Sequence, residues 1–151
     1  MTASARPPRV RGWYEDKLWE FVAEGELRLP EDPVTGELVF PPAAVAPRTL
    51  EPAVRWRKLS GAGELVAWTV FRRPYFPMIP IPYTVVVVRS AEGPMFAGHL
   101  GGDQSARLRH GMPMRLVFEH ADLEAQPTQI FNWVPASGPP IETSHDLEGE
   151  R

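Results

Sequence analysis

Apolar residues recur at helical spacing near the start of the chain. They are Tyr14, Leu18, Phe21 and Val22, at positions i, i+4, i+7 and i+8, with acidic residues mostly on the other side. Glu15 and Asp16 suit the positive N-terminal end of a helix dipole, and Gly25 is a typical residue after a helix C-terminus. The pattern predicts an amphipathic helix within residues 13–29.

Beyond residue 53 the pattern changes to short runs of β-branched and aromatic residues bounded by turn residues. These runs are AVRWRKLSG, GELVAWTVFRR, YTVVVVRSAEG, PMFAGHL, MRLVFEHA and TQIFNWV. Short strands at this spacing predict a small antiparallel barrel. The longest break between them, GGDQSARLRHGMP, provides room for one helical turn or a loop and favours the five-stranded OB-fold. An SH3-like barrel and a split sandwich are the alternatives that the pattern leaves open.

The chain ends differ in composition from the segments between them. Residues 1–12 are rich in arginine and proline, and residues 136–151 contain acids but no aromatic residue. These compositions predict a disordered arm and a disordered acidic tail. Between them we expect the helix at 13–29, a proline-rich segment at 30–53 and the barrel at 54–135.

Composition limits the classes of protein that the chain can be. Its 151 residues are 43% hydrophobic, which is enough for one core of ordinary size. The absence of cysteine excludes disulfides, thiolate zinc sites and cysteine nucleophiles. The first twelve residues lack the apolar region of a signal peptide, and no stretch approaches the roughly 20 apolar residues of a membrane span. We therefore expect a cytoplasmic protein without a membrane partner.

Charge is distributed unevenly along the chain. Residues 55–120 contain nine Lys or Arg and four acids, a net charge of +5, whereas the remainder carries −8. A basic face can attract nucleic acid, the phosphates of a nucleotide cofactor or an acidic protein. Solvated surface charge explains the same composition equally well.

No group of residues has the spacing of a catalytic or metal site. The histidines are His99, His110, His120 and His145, and none belongs to a spaced ligand motif. No serine stands in a G-x-S-x-G motif. The glycines of HLGGD, residues 99–103, could form an anion-binding nest, although a turn after a strand is the commoner role of such a pair. We expect no catalytic residue in this chain.

The segment FRRPYFPMIPIPY, residues 71–83, is the most unusual one and is called the proline segment below. Four prolines separate large apolar side chains, so we expect a stiff connection with its hydrophobic residues partly exposed. A stiff apolar loop loses little entropy on binding, which favours a docking surface over simple cover for one end of the barrel. The predicted interface residues are Phe71, Tyr75, Phe76, Met78, Ile79 and Tyr83. The adjacent Arg72 and Arg73 suit a carboxylate or a phosphate.

Four motifs follow one another in an order that resembles the zinc-ribbon and OB-fold proteins catalogued as domain of unknown function thirty-five. They are the pair Trp19-Glu20, GELVFPP at 36–42, the G-x-G-x-L entry to the first barrel strand at 61–65, and GMPMRLVFE at 111–119. The resemblance covers residues 14–134. It implies a rubredoxin-like ribbon followed by an OB-fold barrel.

The ribbon of that family has the form C-x-x-C-G-x-[LV]-x-[FY]-P-P-x-x-x-C-P-x-C. Placed on this sequence through Gly36 and the FPP motif, its four ligand positions fall on Asp32, Thr35, Ala46 and Thr49. Alanine offers no ligand atom and threonine is a poor zinc ligand. The resemblance therefore implies a degenerate ribbon that folds without zinc, with its prolines stiffening what the metal holds elsewhere.

Members of that family commonly serve as accessory subunits or domains of acyl-CoA-processing enzymes, especially thiolase-superfamily proteins, including aldolases of steroid side-chain degradation. The resemblance implies a non-catalytic accessory subunit that helps to form the acyl-CoA channel of a thiolase-like, aldolase or hydratase partner. It further implies that Arg72 and Arg73 contact CoA, that acyl-CoA is a substrate of the complex, and that the chain itself binds no cofactor tightly.

Two other classes of function stay open at this point. An OB-fold can bind single-stranded nucleic acid through aromatic residues in a basic groove. The residues of suitable type are Trp56, Trp68 and Phe71, with Arg55, Arg57 and Arg72 near them. The net negative charge argues against this function. The second alternative is a stand-alone protein that binds or converts a CoA thioester or lipid, and an enzyme of that kind needs an acid or base that the sequence does not display.

Overall fold

The computed structural model describes residues 12–75, 77, 79–123 and 126–137 of the chain. Its elements are α1 (Trp13–Ala23), β1 (Arg28–Glu31), β2 (Arg55–Lys58), β3 (Ala62–Phe71), β4 (Tyr83–Ser90), β5 (Met95–His99), β6 (Pro113–Leu123) and β7 (Gln126–Pro135). The predicted disordered arm at 1–12 and acidic tail at 136–151 fall mostly outside the described residues.

The predicted amphipathic helix is present as α1. Its apolar side buries Leu18 and Val22, and its C-terminus is closed by Gly25, whose N–H donates to the carbonyl of Val22 at 3.0 Å. Gly25 has φ +77°, a conformation that glycine adopts without strain. Among the described residues, no helix is long and apolar enough to cross a membrane.

Five antiparallel strands form the barrel, in the order β5-β4-β3-β6-β7. An isolated parallel bridge between Leu100, just after β5, and Trp133 on β7 brings the two outer strands together. A bulge between Leu65 and Ala67 bends the central strand β3. This order, nearly closed on itself, is that of an OB-fold, so the predicted fold class is confirmed.

One apolar core joins the barrel to the segments before it. Strand β4 contributes the fully buried Val86 and Val88, and Phe96 and Trp133 are the largest buried side chains from β5 and β7. The same cluster includes Leu18 and Val22 of α1, Leu29 of β1, and Leu27 in the connection between these two elements. The helix and β1 are therefore fixed directly against the barrel.

Strand β2 differs from the expectation that AVRWRKLSG belongs to the barrel. It pairs instead with β1 in a separate two-stranded sheet, where Leu29 lies opposite Arg57 and Pro30 opposite Trp56. Strand β1 is difficult to recognise in the sequence, because Pro30 lacks the N–H of a strand interior. Residues 32–53 connect the two strands and form the ribbon.

Candidate functional site

The first turn of the ribbon spans residues 32–37. The N–H of Asp32 donates to the carbonyl of Glu37 at 2.8 Å, and the N–H of Gly36 donates to the carbonyl of Asp32 at 2.9 Å. The hydroxyl of Thr35 accepts from the N–H of Glu37 at 3.2 Å. Gly36 has φ +73°, so the turn passes through a left-handed residue.

The second turn, residues 46–51, repeats this pattern with different side chains. The N–H of Ala46 donates to the carbonyl of Glu51, and the N–H of Leu50 donates to the carbonyl of Ala46, both at 2.9 Å. The hydroxyl of Thr49 accepts from the N–H of Glu51 at 3.4 Å. Leu50 has φ +61° and is the one non-glycine residue with positive φ in the described parts of the chain. The ribbon thus consists of two equivalent knuckles.

A buried carboxylate joins the two knuckles. Asp32 is only 2% exposed, and its Oδ2 accepts from the Thr49 hydroxyl at 2.9 Å. Its Oδ1 accepts from the N–H groups of Val34 at 2.9 Å and Thr35 at 3.4 Å. Burial raises the pKa of Asp32, but the hydrogen bonds from Val34, Thr49 and Thr35 outweigh burial and hold the pKa below its usual value. Asp32 is therefore an ionised acceptor at neutral pH.

The four positions that match the zinc ligands do not form a metal site. Thr35 and Thr49 use their hydroxyls in the hydrogen bonds above, and Ala46 presents a fully buried methyl group. Within the described residues, no three His, Asp or Glu side chains lie close enough together to hold a metal ion. The donor set therefore does not fit a tetrahedral zinc site, and a hydrogen bond joins two of the four positions, Asp32 and Thr49.

The proline segment is less exposed than its sequence predicts. Ile79 and Tyr83 are each 9% exposed, so these two predicted interface residues pack within the chain. The Tyr83 ring lies between the rings of Phe71 and His99, with centroid distances of 4.9 and 4.8 Å, and this stack removes it from the surface. Phe76 and Met78 lie outside the described residues. Tyr75 is 75% exposed, so it remains a predicted interface residue.

Strand β3 extends beyond the rest of the barrel. It pairs with β6 only through residues 62–64, and from Ala67 to Phe71 its ladder partner is β4. Trp68 and Val70 on this extension are exposed, and so is Ile81 in the proline segment. We call residues 66–85 the β3–β4 arm. Arg72 and Arg73 lie exposed in its connecting turn.

An apolar groove of about 630 Å³ lies between α1, the ribbon and strands β5 and β7. Its lining residues include Glu15, Trp19, Phe40, Phe96, Gly98, His99, Phe131 and Trp133, together with Ile79 from the proline segment. Trp133 is 1% exposed, and its indole N–H has no hydrogen-bond partner among the described residues. Sequence reasoning missed this groove because its walls come from several segments that are distant along the chain.

The glycines of residues 99–103 form a turn. The N–H of Leu100 donates to the carbonyl of Thr84, and the N–H of Gly101 donates to the carbonyl of Trp133. Both N–H groups are therefore used in hydrogen bonds within the barrel. The hydroxyl and N–H of Ser105 donate to Asp103 and hold the pKa of that carboxyl below its usual value. The alternative of an anion-binding nest therefore has no support in this geometry.

The aromatic residues proposed for nucleic acid do not form one platform. Trp56 lies against the rings of Tyr14 and Phe21 of α1, at centroid distances of 6.0 and 5.5 Å. The carboxylate of Glu31 lies 3.8 Å from Arg55 and 3.7 Å from Arg57, which reduces the positive charge beside that ring. Trp68 stands apart on the β3–β4 arm.

Comparison with known families and proteins agrees with the motifs. Residues 56–119 match the family model of the ChsH2 C-terminal OB-fold domain. The chain is 26% identical over 118 residues to the 3-oxo-4,17-pregnadiene-20-carboxyl-CoA hydratase alpha subunit of Mycobacterium tuberculosis, covering 78% of this chain and 36% of that protein. It is 26% identical over 87 residues to a DUF35 domain-containing scaffold protein of Pyrococcus furiosus, covering 54% and 61%. The chain thus spans less than two thirds of either curated relative.

Two solved structures share the architecture. The Ltp2-ChsH2(DUF35) aldolase matches with a TM-score of 0.74 at 22% identity, covering 87% of this chain and 99% of that one. A DUF35-family protein of unknown function from Sulfolobus solfataricus matches with a TM-score of 0.55 at 8% identity, covering 70% and 78%. At these identities the likeness concerns the fold alone.

Proposed function

We propose that this chain, which belongs with the ChsH2 and DUF35 proteins through its OB-fold domain, is a non-catalytic accessory subunit of an acyl-CoA-processing enzyme. The observation that carries the proposal is the similarity, over most of the chain, to the alpha subunit of a hydratase whose name specifies an acyl-CoA substrate. The partner is then a hydratase-like or thiolase-like subunit, and acyl-CoA is the substrate of the complex. Steroid or lipid degradation is the corresponding metabolic context.

The histidines fit a non-catalytic subunit. His99 is half-buried and stacks on Tyr83, and His110 and His120 are exposed. His145 lies outside the described residues. The proposal assigns the chemical steps to the partner, and assigns to this chain the positioning of the partner and of the acyl-CoA channel.

The β3–β4 arm is the surface that we propose for the partner. Trp68 and Val70 are 42% and 41% exposed on a strand that extends past its pairing with β6, and Tyr75 is exposed in the connection that follows this strand. Exposed apolar groups beside a projecting strand edge are typical of protein interfaces. The proposed interface therefore rests on Tyr75 and Trp68, with Phe71, Phe76 and Met78 as further candidates.

The arm is tested by co-expression with a hydratase-like or thiolase-like candidate partner. Tyr75→Ala and Trp68→Ala should each weaken association by about 1–3 kcal/mol, because exposed aromatic residues are the commonest anchors of interfaces. Val54→Ala is the control, since Val54 is 76% exposed but lies between the ribbon and β2, away from the arm in the sequence. Size-exclusion chromatography measures co-elution, and melting curves report folding. Arm variants that fold normally and still bind as tightly as wild type would contradict the interface.

The arginine pair is tested in the same complex. Arg72→Ala and Arg73→Ala should reduce capture of the CoA ester, or the rate of association, with no change in melting temperature, because both side chains are exposed. The isolated chain should not turn over acyl-CoA esters. Turnover by this chain alone, lost when one of its His or Ser residues is replaced, would overturn the accessory role.

A further inference from the structure

The edge of strand β3 that faces away from β4 is paired over only part of its length. Residues 62–64 pair with β6, and the N–H and carbonyl of Leu65 bond to Met112 and Gly111. Beyond Leu65, the ladder partner of β3 among the described residues is β4 alone. The other side of residues 67–71 is therefore a free strand edge in the described part of the chain.

The hydrogen bonds of β4 show which backbone groups of β3 point to this free edge. Thr84 lies opposite Val70. The N–H of Thr84 donates to the side chain of Gln104 at 3.0 Å, and its carbonyl accepts from the N–H of Leu100 at 2.9 Å, so both groups point away from β3. In an antiparallel ladder, such pairs alternate with pairs that exchange both hydrogen bonds. The N–H and carbonyl groups of Val70 and, two residues earlier, Trp68 therefore point to the free edge.

The free edge lacks the features that usually prevent an edge strand from pairing. Natural edge strands are protected by charged side chains, proline or a bulge. The stretch AWTVF, residues 67–71, follows the bulge of β3 and contains neither a charged residue nor proline. Its β-branched and aromatic residues favour a strand, and residues 67–70 are exposed. Unpaired backbone donors and acceptors in an extended segment are complementary to another extended strand.

The stretch is also complementary to itself. In an antiparallel pair of two copies with Thr69 opposite its own counterpart, Trp68 of each copy lies opposite Val70 of the other. Both residues direct their backbone groups to the edge, so each Trp68–Val70 pair would exchange both hydrogen bonds. Their side chains lie on one face of the strand, and cross-strand pairs of an aromatic and a β-branched residue are favourable. Since residues 67–71 carry no charge, self-pairing meets no charge repulsion within them.

We propose that the free edge of β3 pairs with β3 of a second copy of this chain, antiparallel and centred on Thr69, to give a two-fold symmetric dimer. Such a pairing uses each free edge once, so it closes at two copies. The proposal goes beyond the accessory role, because it concerns the chain alone. The dimer is measured without any enzyme present, so its failure is distinguishable from failure of the proposed enzyme contact.

Cysteine cross-linking tests the register of the pairing, because the natural chain contains no cysteine. In Thr69→Cys, the two thiols lie at a pair whose Cα atoms are about 4.5 Å apart, which a disulfide can span. In the matched control Val70→Cys, the two cysteines are diagonal neighbours about 7–8 Å apart, beyond the usual span of a disulfide. Mild oxidation of the full chain at low micromolar concentration should link Thr69→Cys at least about tenfold faster than Val70→Cys, measured by non-reducing electrophoresis.

A proline substitution tests the edge hydrogen bonds. Val70→Pro removes an N–H that points to the free edge, and proline is tolerated in a strand where its nitrogen faces solvent. Sedimentation velocity should show a concentration-dependent equilibrium between monomer and dimer for wild type. Val70→Pro should weaken dimerisation at least about tenfold, with an unchanged circular dichroism spectrum. Val54→Ala is the control, because Val54 is exposed outside the β3–β4 arm, and this variant should dimerise as wild type does.

Three results would overturn the proposal. The first is a wild-type chain that stays monomeric up to high micromolar concentration, including one whose edge instead accepts a strand of the enzyme. The second is equal cross-linking of Thr69→Cys and Val70→Cys, which would indicate random collision or another register. The third is unchanged dimerisation of folded Val70→Pro, or assembly beyond the dimer, since either requires another surface. If Val70→Pro does not fold, the comparison of the two cysteine variants decides.

Discussion

The ribbon and the barrel are stabilised in different ways. The barrel surrounds large buried side chains such as Trp133, Phe96 and Leu65. The ribbon has a separate cluster of only three small ones, Val39, Ala46 and Ala53. A segment with so little apolar volume needs another constraint, which in small domains is often a metal or a disulfide. Here the constraint is a buried carboxylate that accepts from both knuckles.

The two knuckles show how that constraint is distributed. Their backbone hydrogen bonds are the same, but the first supplies the acceptor, Asp32, and the second the donor, Thr49. The left-handed residue is glycine in the first and leucine in the second. The two turns therefore share one backbone arrangement, and the side chains at their matching positions do not suit a metal.

Introducing zinc ligands into the two knuckles should have the largest effect on the stability of the ribbon. A variant with cysteine at positions 32, 35, 46 and 49 should bind one zinc ion, because both knuckles keep the backbone geometry, and structural zinc is worth about 10–16 kcal/mol in zinc-finger peptides. Chelator should then lower its melting temperature by more than about 10 °C, and leave that of wild type unchanged. Elemental analysis measures the metal. Stoichiometric zinc in wild type would show that other residues supply ligands.

Substitution of Gly63, a crowded glycine in the barrel, should cause the next largest change in stability. A Cβ on Gly63 would lie 2.8 Å from both the carbonyl oxygen of Arg89 and a methyl of Val88. Gly63→Val should therefore destabilise the protein by about 2–3 kcal/mol, measured by urea unfolding. Gly98→Val is the matched control on another barrel strand, where the Cβ meets open space. Equal stability of the two variants would contradict the packing described for β3.

The sequence predicted the barrel better than the groove for a physical reason. Strand β4 has four consecutive valines, and its tendency to form a buried strand is local and visible in the sequence. Strand β1 contains Pro30 and owes its position to pairing with β2 and to the burial of Leu29, which are not local. The apolar groove depends entirely on such distant contacts.

The candidate site was partly visible in the sequence. Matching the ribbon motif placed Asp32 and Thr49 at ligand positions, but the sequence did not predict the hydrogen bond that joins them. The proline segment was harder to interpret, because composition does not distinguish Tyr75, which points to solvent, from Tyr83, which stacks between two rings. The difference in exposure depends on His99 of β5, which stacks on Tyr83 and is distant from it in the sequence.

Removing the shared acceptor should affect the ribbon more than the barrel. Asp32→Ala leaves the N–H of Val34 and the hydroxyl of Thr49 without their acceptor, which should lower the melting temperature by roughly 3–6 °C. Hydrogen exchange should accelerate in residues 32–53 and change little in β4. Glu51→Ala, at an exposed position of the second knuckle, is the control. Uniform acceleration throughout the barrel would show that the ribbon has no separate stability.

The pH dependence of stability tests whether the Asp32 carboxyl is ionised in the folded protein. The folded pKa of Asp32 is lowered, so its contribution to stability is complete above its usual value of 3.8 and is lost as the pH falls through the lower folded value. The difference in melting temperature between wild type and Asp32→Asn should be constant from about pH 7 to pH 5 and shrink below pH 3.8. A difference that shrinks near neutral pH would mean that the buried carboxyl is protonated.

The smallest expected effect compares the knuckles with each other. Leu50 is 74% exposed with φ +61°, so its side chain gains little from burial while its backbone conformation costs about 1–2 kcal/mol. Asparagine tolerates this conformation, and Leu50→Asn should therefore raise the melting temperature by about 1–3 °C. The reciprocal Gly36→Leu variant should lower it by a similar amount, since Gly36 has φ +73° in the equivalent position of the first knuckle. Differential scanning calorimetry measures the melting temperatures of both variants. If Leu50→Asn proves destabilising and Gly36→Leu neutral, the two turns do not share one backbone requirement, and the equivalence of the knuckles fails.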